Sequence, residues 1–433
     1  MTEARVAATG RDNSAEARRV ALAGGVGTTI EWYDFFIYGT AAAVVFAPQF
    51  FPQASDLAGR LAAFATFAIG FIARPLGGIA MGHYGDRLGR KSMLVWSLML
   101  MGLATLGIGL LPNYERIGVW APALLVIFRF VQGFALGGEW GGAVLMSVEH
   151  APGGRRGFFG SFVALGLPAG IILSNLVFLV ISGVFEPDEF AAWAWRIPFL
   201  ASAVLVVVGL WVRLGLSESP IFAEVLRTAS ARRMPIVDVL RNDWRAVLIA
   251  AGSYVGISAN GYVVIVYFVS YATRELGLPL PKTLTLLLTG AVLFAGSIVV
   301  FARWSDRVGR RRIMQWGLAA LVLWSLFFFP LADTKSIPLI ALALCGMFLV
   351  QGAYIGPQPA VFSELFPAAI RYSGASLSLT LGTILGGALA PAIATTLYNA
   401  GGNSRLVTAY ITVMSLLSFL SALGLKETYE RNL

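Results

Sequence analysis

The sequence predicts an all-α polytopic membrane protein of twelve transmembrane helices in two six-helix bundles. Three observations carry that prediction. Of the 433 residues 57% are hydrophobic and only 13% charged. That is about half the charged share of a soluble domain, too little to cover a surface facing water. Apolar runs of about 20 residues, enough to cross a bilayer, recur from end to end. The basic residues collect between these runs, with a bias toward alternate connections.

The spans fall near residues 20–47, 60–82, 92–111, 122–148, 158–185, 193–216, 246–272, 283–303, 313–331, 338–363, 373–398 and 405–425. With both termini inside, the cytoplasmic segments hold 21 Lys and Arg and the external side seven, counting Arg60, Arg196 and Arg405 at the outer span ends; the spans hold the other four. The expected organisation is a cytoplasmic tail (1–19), a first bundle (20–216), a cytoplasmic linker (217–245), a second bundle (246–425) and a short cytoplasmic tail (426–433). The segment Val20–Ala47 is too long for a signal peptide and carries Glu31 and Asp34, so it reads as a retained first span.

Several function classes drop out. The net charge of +9 sits in short clusters between apolar runs, which fits the positive-inside rule and not nucleic-acid binding. The single cysteine, Cys345, excludes a disulfide framework or a thiolate metal site. His83 and His150 lie at span ends, so no histidine cluster is available for a metal. No nucleophile–base pair shares one depth, which argues against an enzyme and leaves no cofactor to expect.

The two halves repeat. GDRLGRK (Gly85–Lys91) follows span two and SDRVGRR (Ser305–Arg311) follows span eight, with Asp86 and Asp306 220 positions apart. Span four ends in Glu149 with Arg156 seven residues on, and span ten in Glu364 with Arg371 seven residues on. Span six ends in GLSES (Gly215–Ser219) and span twelve in GLKET (Gly424–Thr428).

On these residues the chain resembles the major facilitator superfamily along its whole length. The family's loop motif is matched by Gly82, Asp86, Arg87, Gly89, Arg90 and Lys91. The Glu-x6-Arg pairs and the ESP at Glu218–Pro220 are similar to its cytoplasmic charge network. More narrowly, EWYDF in span one, RPLGG in span two and RFVQGFALGGEWGGA in span four resemble the metabolite:proton symporters. Carriers of shikimate, α-ketoglutarate, citrate, and proline or betaine belong to that family, and GGEWGGA is most like the shikimate branch. The resemblance implies the major facilitator fold, alternating access, and proton-driven uptake across a bacterial cytoplasmic membrane by a monomer. The partners it implies are a small solute, the proton as coupling ion, and the lipid bilayer. It also implies a cytoplasmic gate drawn from Asp86, Arg87, Arg90, Glu149, Arg156, Asp306, Arg310, Glu364 and Arg371.

Charge inside a span is costly, so each such residue is a functional candidate. The interior charges are Glu31 and Asp34 in span one, Arg74 in span two, and Arg129 and Glu139 in span four; spans seven to twelve have none in their interiors. At about 1.5 Å of rise per residue, Glu31, Arg74 and Glu139 lie roughly 13–17 Å from the cytoplasmic ends of their spans. Asp34 lies about 21 Å in and Arg129 about 30 Å in. Two layers are expected: a cluster of Glu31, Arg74 and Glu139, and an outer pair of Asp34 with Arg129 or Gln132.

Glu31 and Asp34 are three apart and share a helix face. Two carboxylates so close in a low dielectric resist ionising together, so one of them, or Glu139, is suited to carry a proton. The bland alternative is a set of static ion pairs. An anionic substrate needs a planar cationic partner, which Arg129 supplies, with Gln132 and Arg74 nearby. The facing wall is expected from Gln351, Tyr354 and Gln358, one polar stripe on span ten, where Pro357 and Pro359 interrupt the helix. Asn175 and Asn260 are weaker candidates, with helix–helix packing as the alternative. The glycines of span four, and Gly382 and Gly386 of span eleven, read as close-approach points.

Two transporter rivals remain. Drug antiporters of this fold carry a Gly-Pro-x-x-Gly-Gly element in span five, where this chain has GLPAG (Gly166–Gly170). Proline or betaine carriers stay open as an alternative to an organic acid.

Overall fold

The computed structural model describes residues 2–88, 90–137, 139–152, 154–214, 235–367 and 370–429, and of residues 2–17, 82–88, 90, 91, 94, 213 and 235–238 the backbone alone. The linker stretch 217–234, with the ESP motif, lies outside the described residues, as do Gly89 and the side chains of Asp86, Arg87, Arg90 and Lys91.

Lipid offers the backbone no hydrogen-bond partner, so every crossing must close its own ladder as a helix. Among the described residues there is no strand. Ten helices among these residues are long and apolar enough to cross a membrane, and Val95–Leu110 adds a shorter one for span three. Span one belongs to a continuous helix, Thr2–Val44, so the segment expected as a separate tail runs into the span without a break. Large apolar side chains line the outside, among them Trp211 at 77% and Leu110 at 70% exposure. In a bilayer that surface is solvated by acyl chains.

The duplication read from the motifs recurs in the packing. In the first half span one packs on span five, two on four, and three on six. In the second, seven packs on eleven, eight on ten, and nine on twelve. Between halves span five meets span eight and span two meets span eleven, again a pair related by the repeat.

Glycine governs how closely some of these helices approach. A Cβ on Gly133 of span four would sit 2.0 Å from the carbonyl oxygen of Gly70 on span two, and one on Gly386 of span eleven 2.0 Å from that of Val255 on span seven. Substitution at either place must push two helices apart.

Several spans are broken at mid-membrane. In span four the helix gives way to a turn at Gly137, whose N–H donates to the carbonyl of Phe134. Span ten stops at Ile355 and resumes at Gln358, at the prolines singled out above. Spans seven and eleven carry π-helical turns at Val263–Tyr267 and Ile384–Ala388. Irregular backbone at such depth is tolerated where it is buried in protein or lines a cavity.

Candidate functional site

The breaks converge on a closed polar centre. Asp34 is 1% exposed and accepts a hydrogen bond of 3.0 Å from the hydroxyl of Thr105 on span three. That hydroxyl also lies 2.9 Å from the carbonyl oxygen of Met101, so one proton has two acceptors in reach. The Gln132 amide donates to Thr105 at 2.7 Å, and Arg129 Nη1 donates to the Gln132 oxygen at 3.1 Å. The expected outer pair is therefore joined, through two neutral side chains instead of by direct contact. Arg129 and Gln132 are three apart on one helix, which sets their side chains on one face.

Arg129 is held in an aromatic box. Its guanidinium carbon is 4.2 Å from the ring centre of Tyr38, 4.4 Å from Phe35 and 4.9 Å from Phe67. Cation–π contacts of this kind gain strength when desolvated, to about 2 kcal/mol. Gly70 makes room, since a Cβ there would come 2.8 Å from Arg129 Nε. Arg129 Nε and Nη2 are buried and have no protein hydrogen-bond partner.

The inner layer is arranged around span three as well. Glu139 is 3% exposed and accepts a 3.1 Å bond from Ser97. Thus the two hydroxyls of that span interior each meet one carboxylate. Glu31 is buried on the same helix as Asp34. Arg74 stacks on Phe35 and Phe71 at 5.0 and 4.9 Å, so Phe35 lies between the two arginines.

From the second half, Tyr262 closes over this group, with its ring 5.7, 5.7 and 5.1 Å from those of Phe35, Phe67 and Phe71. Gln351 and Gln358 are buried, and their amide nitrogens have no protein partner. The Tyr354 hydroxyl is 2.7 Å from that of Ser253, and its ring lies 6.1 Å from Tyr254. Asn175 is buried on span five with its amide nitrogen also unpartnered. Asn260 is placed elsewhere. Its amide donates to Gly256 at 2.8 Å, Ile411 at 3.3 Å and Ser415 at 2.8 Å, which ties span seven to span twelve. Its donors thus serve helix packing, while its Oδ1 is buried without a protein hydrogen-bond partner.

Ion pairs close both ends. At the basic end Glu149 of span four meets Arg371 of span eleven at 3.3 Å, and Glu364 of span ten meets Arg156 of span five at 3.6 Å. Arg310 binds Glu364 and lies 3.4 Å from Asp306. The Asp306 carboxylate accepts from the N–H groups of Gly157 and Phe158, both at 2.9 Å, at the start of span five. Free N–H groups at a helix start favour such a negative charge. Glu427 accepts from the N–H groups of Arg310 and Arg311 in the same way, at 3.0 and 3.1 Å. At the opposite end Asp56 meets Arg274 at 2.9 Å and Arg60 at 3.2 Å, while Arg60 lies 3.9 Å from Glu275. The halves are thus latched on both sides of a buried centre.

Sequence reasoning did not single out Ser97, Thr105, Tyr38, Tyr254 or Tyr262, nor the Asp56–Arg60–Arg274–Glu275 group. Ser97 and Thr105 left one signal, as the only hydroxyls between residues 93 and 111 of an otherwise apolar span.

A duplicated bundle of membrane helices, latched at both ends around a polar centre that faces both halves, defines an alternating-access type of transporter. The chain belongs to the Major Facilitator Superfamily, whose family model matches residues 24–391. It is a multi-pass transporter of small-molecule metabolites. It is 40% identical to the shikimate transporter of Escherichia coli over 416 residues, covering 95% of each chain. To an inner membrane metabolite transport protein of the same organism it is 40% identical over 421 residues, covering 96% of this chain and 95% of the relative. A proline/betaine transporter of Escherichia coli is 31% identical, with 96% of this chain and 85% of the relative covered. The fold matches a solved proton:xylose symporter with a TM-score of 0.75 at 17% identity, covering 96% of this chain and 97% of that one.

Proposed function

We propose that this transporter is a proton-coupled symporter, taking up a small organic-acid anion across a bacterial cytoplasmic membrane as a monomer. Both termini and the basic end face the cytoplasm in this reading. The observation that supports it most is the buried chain of hydrogen bonds from Asp34 through Thr105 and Gln132 to Arg129. It joins a carboxylate able to take a proton to a guanidinium with two N–H-bearing nitrogens still without a protein partner.

In the proposed cycle the substrate carboxylate docks on Arg129 as a planar, bidentate pair. Arg74 offers a second cationic surface, and Gln351, Tyr354, Gln358 and Asn175 supply neutral polar groups from the facing walls. Asp34 carries the coupling proton, with Glu31 and Glu139 as further stations toward the cytoplasm. Neutralising both charges lowers the cost of moving the loaded centre through a low dielectric. The ion pairs at the two ends would then open in alternation.

Uptake of a labelled organic-acid panel into vesicles, with and without a proton gradient, tests the reading. Uphill accumulation that survives collapse of the gradient by a protonophore rules out proton coupling. Compatible-solute uptake is the second reading, favoured by the proline/betaine relatives. Betaine and proline belong in the same panel, since a zwitterion would also present a carboxylate to Arg129.

A further inference from the structure

The end of the molecule opposite the basic clusters holds a polar cavity of about 170 Å³ that the central site does not explain. Arg60 of span two, Tyr267, Ser270 and Glu275 of the span-seven end, and Tyr398 and Asn399 of span eleven line it. These are elements of both halves, so the cavity lies on the line between them.

Arg60 is poorly satisfied there. Its contact with Glu275, at 3.9 Å, is beyond hydrogen-bond length. Asp56, its nearer partner, is shared with Arg274. Arg60 Nε is buried with no protein hydrogen-bond partner. A buried donor left over beside a polar cavity calls for an acceptor. Asp333, which accepts from the hydroxyls of Tyr271 and Ser404, is not among the residues lining the cavity.

From this we infer that the cavity is a second, outer binding site for a small hydroxylated carboxylate, which takes the place of Glu275 on Arg60. The incoming group makes the hydrogen-bonded fork that Glu275 does not make. The hydroxyls of Ser270 and of Tyr398, which gives up Glu275 as its partner, meet its polar atoms. The volume lies below the roughly 300 Å³ where drug-sized pockets begin, which restricts the ligand to a small acid. Among the described residues, displacing Glu275 removes one of the two ion pairs that join the halves at this end and leaves Asp56–Arg274. Arrival of an anion therefore loosens the outer latch before the anion reaches Arg129. The anionic class rests on the reading proposed above; the site itself rests on Arg60 and the cavity.

The test uses the full chain in vesicles with Cys345→Ser and a reporter, Asn399→Cys, at the exposed rim of the cavity. Methanethiosulfonate reagents bearing a sulfonate or a trimethylammonium group are compared, each rate normalised to a free thiol. Arg60→Gln should lower the sulfonate-to-ammonium ratio about fivefold, the scale of one exposed ion pair. Arg60→Lys should keep most of it, and Glu275→Gln should raise it. Glycolate should slow the sulfonate reaction in the parent and not in Arg60→Gln, with ethylene glycol inert in both. A ratio indifferent to Arg60→Gln, a fall with Glu275→Gln, or no slowing by glycolate overturns the site. Arg129→Gln should leave all these rates unchanged, so a failure of the central reading is seen separately, as uptake without proton coupling.

Discussion

Glu149 binds Arg371, not the Arg156 that follows it in its own motif, and Glu364 in turn binds Arg156. The two copies of the Glu-x6-Arg motif have exchanged partners across the halves. On the proposed reading an exchanged pair forms only while the basic end is shut and acts as a latch. Glu149 is 32% exposed at its side chain, whereas Glu364 is fully buried between Arg156 and Arg310. An exposed pair is worth at most about 1 kcal/mol, while removing one partner of a buried pair costs about 3–5 kcal/mol. Glu364→Gln should therefore raise labelling of single cysteines on the basic-end side of the cavity far more than Glu149→Gln. Reversing the more exposed pair, Glu149→Arg with Arg371→Glu, should restore transport lost in either single variant. Failure of that rescue, with normal expression, removes the latch role from the pair.

Asp306→Asn should cut the transport rate much more than equilibrium substrate affinity. Its carboxylate accepts two backbone N–H groups at the start of span five, and an amide keeps only one acceptor oxygen. A fall in affinity with an unchanged rate would contradict this. The matching residue of the first half, Asp86, is expected to behave alike.

Replacing Asp34 by Asn should abolish concentrative uptake while leaving substrate exchange measurable. Neutralising the site removes the proton step and little else. Full uphill accumulation by this variant would move the proton to Glu31 or Glu139.

Thr105→Val should damage concentrative uptake, and Thr105→Ser should largely preserve it. The hydroxyl is donor to Asp34 and acceptor from Gln132, and valine is neither. A lost hydrogen bond to a charged group is worth about 1.5–3 kcal/mol. Equal transport by all three forms would show that the Asp34–Arg129 chain does not need its middle link.

Arg129→Lys should weaken substrate binding at least about tenfold, or 1.4 kcal/mol, although the charge is kept. A lysine cannot fill the box of Tyr38, Phe35 and Phe67 or present a planar fork. Direct binding measurements on the purified protein give the answer, and unchanged affinity would make Arg129 structural.

The residues legible in the sequence were those that are expensive where they stand. Asp34, Arg129 and Glu139 announce themselves because charge in an apolar span demands a reason. Thr105 and Tyr262 cost little inside a membrane protein, so nothing marks them until the fold sets one against Asp34 and the other against Phe71. Asp56 and Glu275 failed to stand out for the opposite reason, since connections are where charge is ordinary. An amide such as Asn260 looks the same in a helix whether it faces a solute or, as its donors do here, span twelve.

The interior charges of the bundle stand in the first half, in spans one, two and four, while the facing wall from spans seven and ten is polar but neutral. The two copies of an ancestral unit have thus diverged unequally. On the proposed reading one copy is the motor and the other is the fitting that grips the cargo. Such a protein can change what it carries by drift in spans seven and ten alone. Its energy source need not be rebuilt each time, because the residues that hold the proton stand in the other copy.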